Sequence, residues 1–182
     1  MLQIELPGDE FWDEAKEEFI CTKGVSLKLE HSLLSLSKWE SKWRKPFLSD
    51  EPKRAEEIMD YIRCMTLNPN LDDAVYARLS QQNFEEIRKY IEEPKTATWF
   101  SDDGKKHSRS REQVTSELIY YWMIALNVPF DPCEKWHLDR LMTLIKVCNV
   151  KNAPPKKMKQ RDILARNAAL NAARRKQLNT KG

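Results

Sequence analysis

The sequence is poor in what most catalytic and β-rich folds require. Four glycines in 182 residues are too few for the many tight turns of a sandwich or barrel. They also leave little room for a glycine-rich phosphate loop. The four cysteines, Cys21, Cys64, Cys133 and Cys148, are scattered with no CxxC pair, which points to reduced, packed thiols in a cytoplasmic chain. No apolar run approaches the roughly 18 residues of a membrane span. The opening stretch, MLQIELPGDEFWDEAKEEF, is acidic and lacks the basic start and apolar core of a secretory signal, so the chain is expected to stay where it is made. Acid is nearly missing from the last segment: residues 151–182 hold ten Lys or Arg against Asp162 alone, about +9. The other 150 residues carry 21 basic and 27 acidic side chains, about −6. That split is the most informative bulk property of the chain.

What is present is mostly helical periodicity. Residues 2–6 (LQIEL) and 25–30 (VSLKLE) alternate apolar and polar side chains, the period of half-buried strands, and predict a small N-terminal antiparallel β pair. Residues 11–20 between them read as a short helical turn. From His31 the period changes: Leu36, Trp39, Trp43 and Phe47 fall on one stripe, Ser37 and Glu40 have the spacing of a capping box, and Pro46 ends the helix. A second helix starts near Pro52 and carries Ile58, Tyr61, Ile62 and Met65 until Asn68-Pro69-Asn70 breaks it. Short helices are predicted over 72–79 and 82–91, the latter with Phe84, Ile87, Tyr90 and Ile91 as its buried edge. Residues 94–109 are a break containing Trp99 and Phe100, a hairpin arm or an exposed loop.

The segment 112–127 is the most apolar. Val114, Leu118, Tyr121, Trp122, Ala125 and Leu126 make a wide face that Ile119, Tyr120, Met123 and Ile124 nearly close into a circle, which places this helix in the middle of a domain. Pro132 opens another helix with Trp136, Leu138, Leu141, Met142, Leu144, Ile145 and Cys148, and the two read as an antiparallel central hairpin. Ala153-Pro154-Pro155 ends the domain. The fold class is therefore mainly α: a helical bundle with an N-terminal β pair over 1–150, then a basic helical or extended tail over 151–182. The tail's apolar face is thin, comprising Ile163, Leu164, Leu170 and Leu178.

Residues able to carry chemistry are few. Cys133 and His137 lie four apart on a predicted helix, but a zinc site needs three or four ligands, and Cys148 and His107 lack motif spacing. They read as a packed cysteine and a helical histidine. Carboxylate pairs such as Glu134 with Asp139, or Glu85 with Glu86, arise freely among 28 acidic residues and read as surface. No nucleophile signature accompanies any cysteine. The chain is read as non-enzymatic, with no cofactor and no metal.

Aromatic excess and the cationic tail remain. Trp122 and Trp136 read as core. Trp39 and Trp43 can be core or a partner dock, because Lys38, Lys42, Arg44 and Lys45 flank them and can cover the rings with their stems. With Phe47, Trp99 and Phe100 they form the candidate partner-binding set, since exposed aromatics anchor protein interfaces. Lys156, Lys157, Lys159, Arg161, Arg166, Arg174, Arg175 and Lys176 make the tail a positive rod. It can follow a phosphate backbone or dock on an acidic surface of its own body or of a neighbouring copy. Docking is favoured, because the tail has no aromatic residue for base stacking and the acidic body offers a target.

Three segments together resemble a group of small proteins encoded among the late structural genes of tailed bacteriophages with Gram-positive hosts: LKLEHSLLSLSKWESKWRKPFL, then ATWFS followed by ELIYYWMIALNVPF, then WHLDRLMTLIKVCNVKNAPPKK. The layout of short strands, a Leu-Ser-Leu helix and a helical bundle is similar to that of phage tail assembly chaperones. The resemblance implies a viral morphogenesis protein acting in the host cytoplasm, whose partner is the long helical tape-measure protein. The alternatives are a structural neck or tail component of the virion that contacts a neighbouring subunit or itself as a homo-oligomer, and a nucleic-acid-binding accessory protein. A membrane partner is not expected.

Overall fold

The computed structural model describes residues 1–13, 18–100, 113–154 and 160–179, with backbone only for residue 9 and for the described residues between 11 and 22. The protein is mainly helical, with a small antiparallel sheet at the N-terminus. It divides into two compact units, Met1–Asn149 and Val150–Gly182.

Strand β1 (Leu2–Leu6) pairs with β4 (Val25–Leu29), Leu2 opposite Leu29 and Leu6 opposite Val25. The alternation puts Ile4, Leu6, Leu27 and Leu29 on the buried face. Nested between them, β2 (Asp9–Asp13) and β3 (Glu18–Thr22) form a second antiparallel pair with Phe11 opposite Ile20. The helical turn expected over 11–20 is therefore corrected to strand at 11–13 and 18–20, residues 14–17 lying outside the described ones. Cross-strand pairing of Phe11 with Ile20 and Trp12 with Phe19 overrides the local preference. The free edge of β4 is covered by the chain leaving the second helix: Leu67 N–H donates to the Lys28 carbonyl at 2.8 Å and Asn68 Oδ1 accepts from Lys28 N–H at 2.8 Å.

Helix α1 (Leu33–Trp43) starts earlier than the Ser37–Glu40 spacing suggested. Ser32 is its N-cap and exchanges hydrogen bonds with Ser35, each hydroxyl accepting the other's N–H at 3.3 and 2.9 Å. The helix stops at Arg44, whose left-handed backbone (φ 54°) lets its N–H reach the Glu40 carbonyl at 2.7 Å. Helix α2 (Ala55–Met65) begins three residues beyond Pro52, with Glu57 accepting the Arg54 N–H at 2.9 Å. A 3₁₀ turn (Asp73–Arg78) and α3 (Gln81–Glu92) follow.

Helix α4 (Ser116–Ala125), the short α5 (Phe130–Cys133) and α6 (Leu138–Asn152) as far as Asn149 complete the first unit. The centre of that unit is α1, packed against α2 on one side and α4 on the other. Trp39 enters a cluster with the sheet, α2 and α3, while Leu33 and Leu36 enter a second cluster with Ile119, Met123, Leu141 and Ile145. The α4 and α6 helices expected as a central hairpin thus share a cluster, but the central place belongs to α1. Only Ile119 and Met123 of the α4 apolar residues are fully buried, whereas Tyr121 is 62% and Ile124 63% exposed. Trp122 and Trp136 are half-buried. An α-helix packed on one side buries one arc, however apolar the other arc is.

In the second unit, α7 (Gln160–Leu178) has no buried residue. Among the described residues no helix is long and apolar enough to cross a membrane.

Candidate partner-binding groove

Helices α2 and α3 each carry an apolar row whose inner members, Ile62 and Ile87, are buried and whose outer members stay partly open. On α2, Ala55, Ile58, Met59 and Ile62 recur at i, i+3, i+4 and i+7. On α3, Phe84, Ile87 and Ile91 recur at similar spacing. Both rows line one groove of about 610 Å³, which Phe47 and Tyr61 line as well. Ile58 is 43% exposed, and Met59, Phe84 and Ile91 are half-buried. At 1.5 Å per residue each row runs roughly 10 Å, about two helical turns. The lining also carries charge: Lys53 Nζ stands 4.7 Å over the Phe47 ring, and Arg88 pairs with Glu92 at 3.0 Å.

Phe47 and Tyr61 belong to an aromatic stack. Phe47 lies on Tyr61 at 3.8 Å between centroids, and Trp39 meets Phe47 edge-on at 5.0 Å and Trp43 at 6.2 Å. Trp39 is 1% exposed and donates Nε1–H to the Glu57 carbonyl at 2.8 Å. This corrects its place among the partner contacts: the ring is a wall behind the groove and has no surface to offer. Trp43 and Phe47 are half-buried. Phe47 lines the groove, and Trp43 lines a shallower recess on the other side of α2 with Met59 and Arg63.

Three buried carboxylates fix this arrangement. Glu40 accepts the Phe47 N–H at 2.8 Å with one oxygen and the Ser116 N–H at 2.7 Å with the other, so the residue expected to cap its own helix caps the start of α4 instead. Glu57 accepts from Lys45 at 2.7 Å, and that bond with the Arg54 N–H holds its carboxyl below the usual range. Asp60 takes the Lys42 ammonium and the Trp43 indole N–H. Two of the four cations flanking the tryptophans thus reach inward to acids on α2.

Trp99 (82% exposed) and Phe100 are exposed after α3 and line none of the grooves described here. Lys156, Lys157 and Lys159 lie outside the described residues. Arg161, Arg166, Arg174, Arg175 and Lys176 are exposed on α7. Cys133 and His137 do not share a helix: Cys133 ends α5, and His137 bridges to Ser32 ahead of α6. Among the described residues no group of three metal-ligating side chains is assembled, and His107 lies outside them. Glu134 accepts from the Tyr120 hydroxyl at 3.1 Å and Asp139 from the Lys95 N–H at 2.9 Å, so these two acids tie segments together. Glu85 and Glu86 are exposed on α3. Cys64, Cys133 and Cys148 are free thiols, and burial pushes Cys64 and Cys133 above the usual range.

His31 and His137 meet edge-on at 5.2 Å where the two core clusters join. His31 Nδ1 shares a 2.5 Å hydrogen bond with the Tyr61 hydroxyl. His137 donates Nε2–H to the Tyr90 carbonyl at 3.2 Å and accepts the Asp139 N–H on Nδ1 at 3.3 Å, the pattern of a neutral ring. Burial drives both pKa values down, that of His31 to about 3.

Comparison with family models, curated proteins and solved structures finds no match to this chain.

Proposed function

We propose that the protein is a non-enzymatic morphogenesis factor of a tailed bacteriophage, a tail assembly chaperone that shields the apolar stripe of the helical tape-measure protein in the host cytoplasm. The observation that carries the reading is the α2–α3 groove, whose partly open apolar rows and two-turn length suit an amphipathic helix with anchors at i, i+3 or i+4, and i+7. The aromatic-rich sequence without catalytic apparatus and the likeness of three segments to tail chaperones support the same reading. Covering a client's apolar stripe keeps it from aggregating before the tail tube closes around it. Trp99 and Phe100, freely exposed, add contacts outside the groove.

Ile58→Glu puts a charge on the groove floor at a position exposed enough to leave folding within about 0.5 kcal/mol. In co-expression with the tape-measure protein this variant should lose the complex and leave the client insoluble. A buried hot spot worth about 2 kcal/mol corresponds to at least roughly 30-fold weaker binding. Trp99→Ala should weaken the complex by less. A client that stays soluble without this protein, or a complex indifferent to Ile58→Glu, contradicts the proposal. Mass spectrometry of purified particles should find the protein absent; a fixed copy number there would make it a virion component.

A further inference from the structure

We infer that α7 is a DNA-binding helix that seats in the major groove of a B-form duplex, an activity separate from the α2–α3 groove. It spans 19 residues, roughly 28 Å, with Arg161, Arg166, Arg174, Arg175 and Lys176 against the single acid Asp162. Every one of its residues is exposed, and none of the five cations has an ion-pair partner among the described residues.

The arrangement of side chains selects the partner. At about 100° per residue, Ala165, Ala168, Ala169, Ala172 and Ala173 gather on one arc roughly 140° wide. Arg166 and Arg175 flank that arc on its two sides, Arg161 and Lys176 stand within it at opposite ends of the helix, and Asp162 lies within it in the first turn, where an acid can accept from a cytosine amino group. Arg174 points away, amid Ile163, Asn167 and Leu178. An alanine arc keeps the helix slim enough for a major groove about 12 Å wide, where methyl groups meet base edges and thymine methyls. Cations on both flanks then meet the phosphates of both strands. A helix docking on one acidic protein surface needs its cations on a single side, and the larger apolar residues of α7 are interrupted in their own arc by Asn167, Asn171 and Arg174. A-form RNA is excluded as the seat because its major groove is too deep and narrow for side chains to read.

The test is fluorescence anisotropy of a labelled 20-base-pair DNA duplex with the full chain between 50 and 200 mM salt. Each phosphate neutralised contributes about −0.9 to the slope of log affinity against log salt. The double variant Arg166→Gln/Arg175→Gln should therefore make the slope shallower by about 1.8, while Arg174→Gln leaves it unchanged. Glutamine keeps high helix propensity, and circular dichroism checks that α7 persists. A polyglutamate competitor of equal charge should fail to displace the duplex. No binding at 50 mM salt, equal effects per charge for Arg174 and the flanking residues, or full displacement by polyglutamate would each overturn the inference.

Discussion

Replacing Trp39 with alanine is expected to remove about 3–5 kcal/mol of folding stability, the range for deleting a buried aromatic side chain. The ring is fully enclosed, stacks on Trp43, meets Phe47 and Tyr61 edge-on, and gives its N–H to the Glu57 carbonyl. Its loss leaves a cavity behind the groove wall and removes the support on which Phe47 rests. Trp39→Phe keeps the ring but drops the hydrogen bond and part of the volume, and should cost about 1–2 kcal/mol. Urea denaturation with both variants checks the pair. Were Trp39 a partner contact, alanine would weaken binding and leave the denaturation midpoint in place.

Acid should loosen the same unit well before its carboxylates titrate. His31 and His137 are held neutral by burial, and their folded pKa values lie below the unfolded value of 6.5. A base with a depressed folded pKa contributes stability that is complete above pH 6.5 and is lost as pH falls toward the folded pKa, because only the unfolded chain takes up the proton. For His31 each pH unit below 6.5 costs about 1.4 kcal/mol until the folded value near 3 is approached, so it accounts for about 2.7 kcal/mol at pH 4.5. His137 adds to this less, because the Tyr90 carbonyl, Glu30 and Asp139 oppose its burial, while Lys95 acts with it. Against His31 stand Tyr61, Phe47 and His137, none of which can stabilise an imidazolium through a carboxylate. Denaturation midpoints at pH 7.0 and 4.5 should differ markedly for the natural chain and less for His31→Gln, which starts less stable but loses most of the slope. Equal slopes would contradict the buried neutral pair.

The α2 and α3 helices were legible because their periods stand alone, and the β1–β4 pair because alternation leaves one reading. The β2–β3 pair was not, since FWDEAKEEF has helix-forming composition and its strands form inside a closure between residues 6 and 25. Ser37 and Glu40 matched a capping box, yet Ser32 and Ser35 were a competing local pair and Glu40 serves an N–H 76 positions later in the chain. Nothing local marks that bond. Trp39 looked exposable because four cations surround it, and two of them turn inward to acids on α2. The groove is the partly open margin of a single core cluster shared by α2 and α3, so neither helix announces it alone. Each carries an apolar arc wider than one neighbour can cover, and Ile58 with Ile62 and Phe84 with Ile91 were the readable trace of it.

Whether the α2–α3 groove holds a helical client is tested most directly by hydrogen exchange on the complex with the tape-measure protein. Amides of Ala55–Met65 and Gln81–Glu92 should gain protection on binding, and Ile58→Glu should abolish the gain. Protection confined to Ser116–Ala125, where Tyr121 and Ile124 are exposed, or none at all in a stable complex, would contradict it.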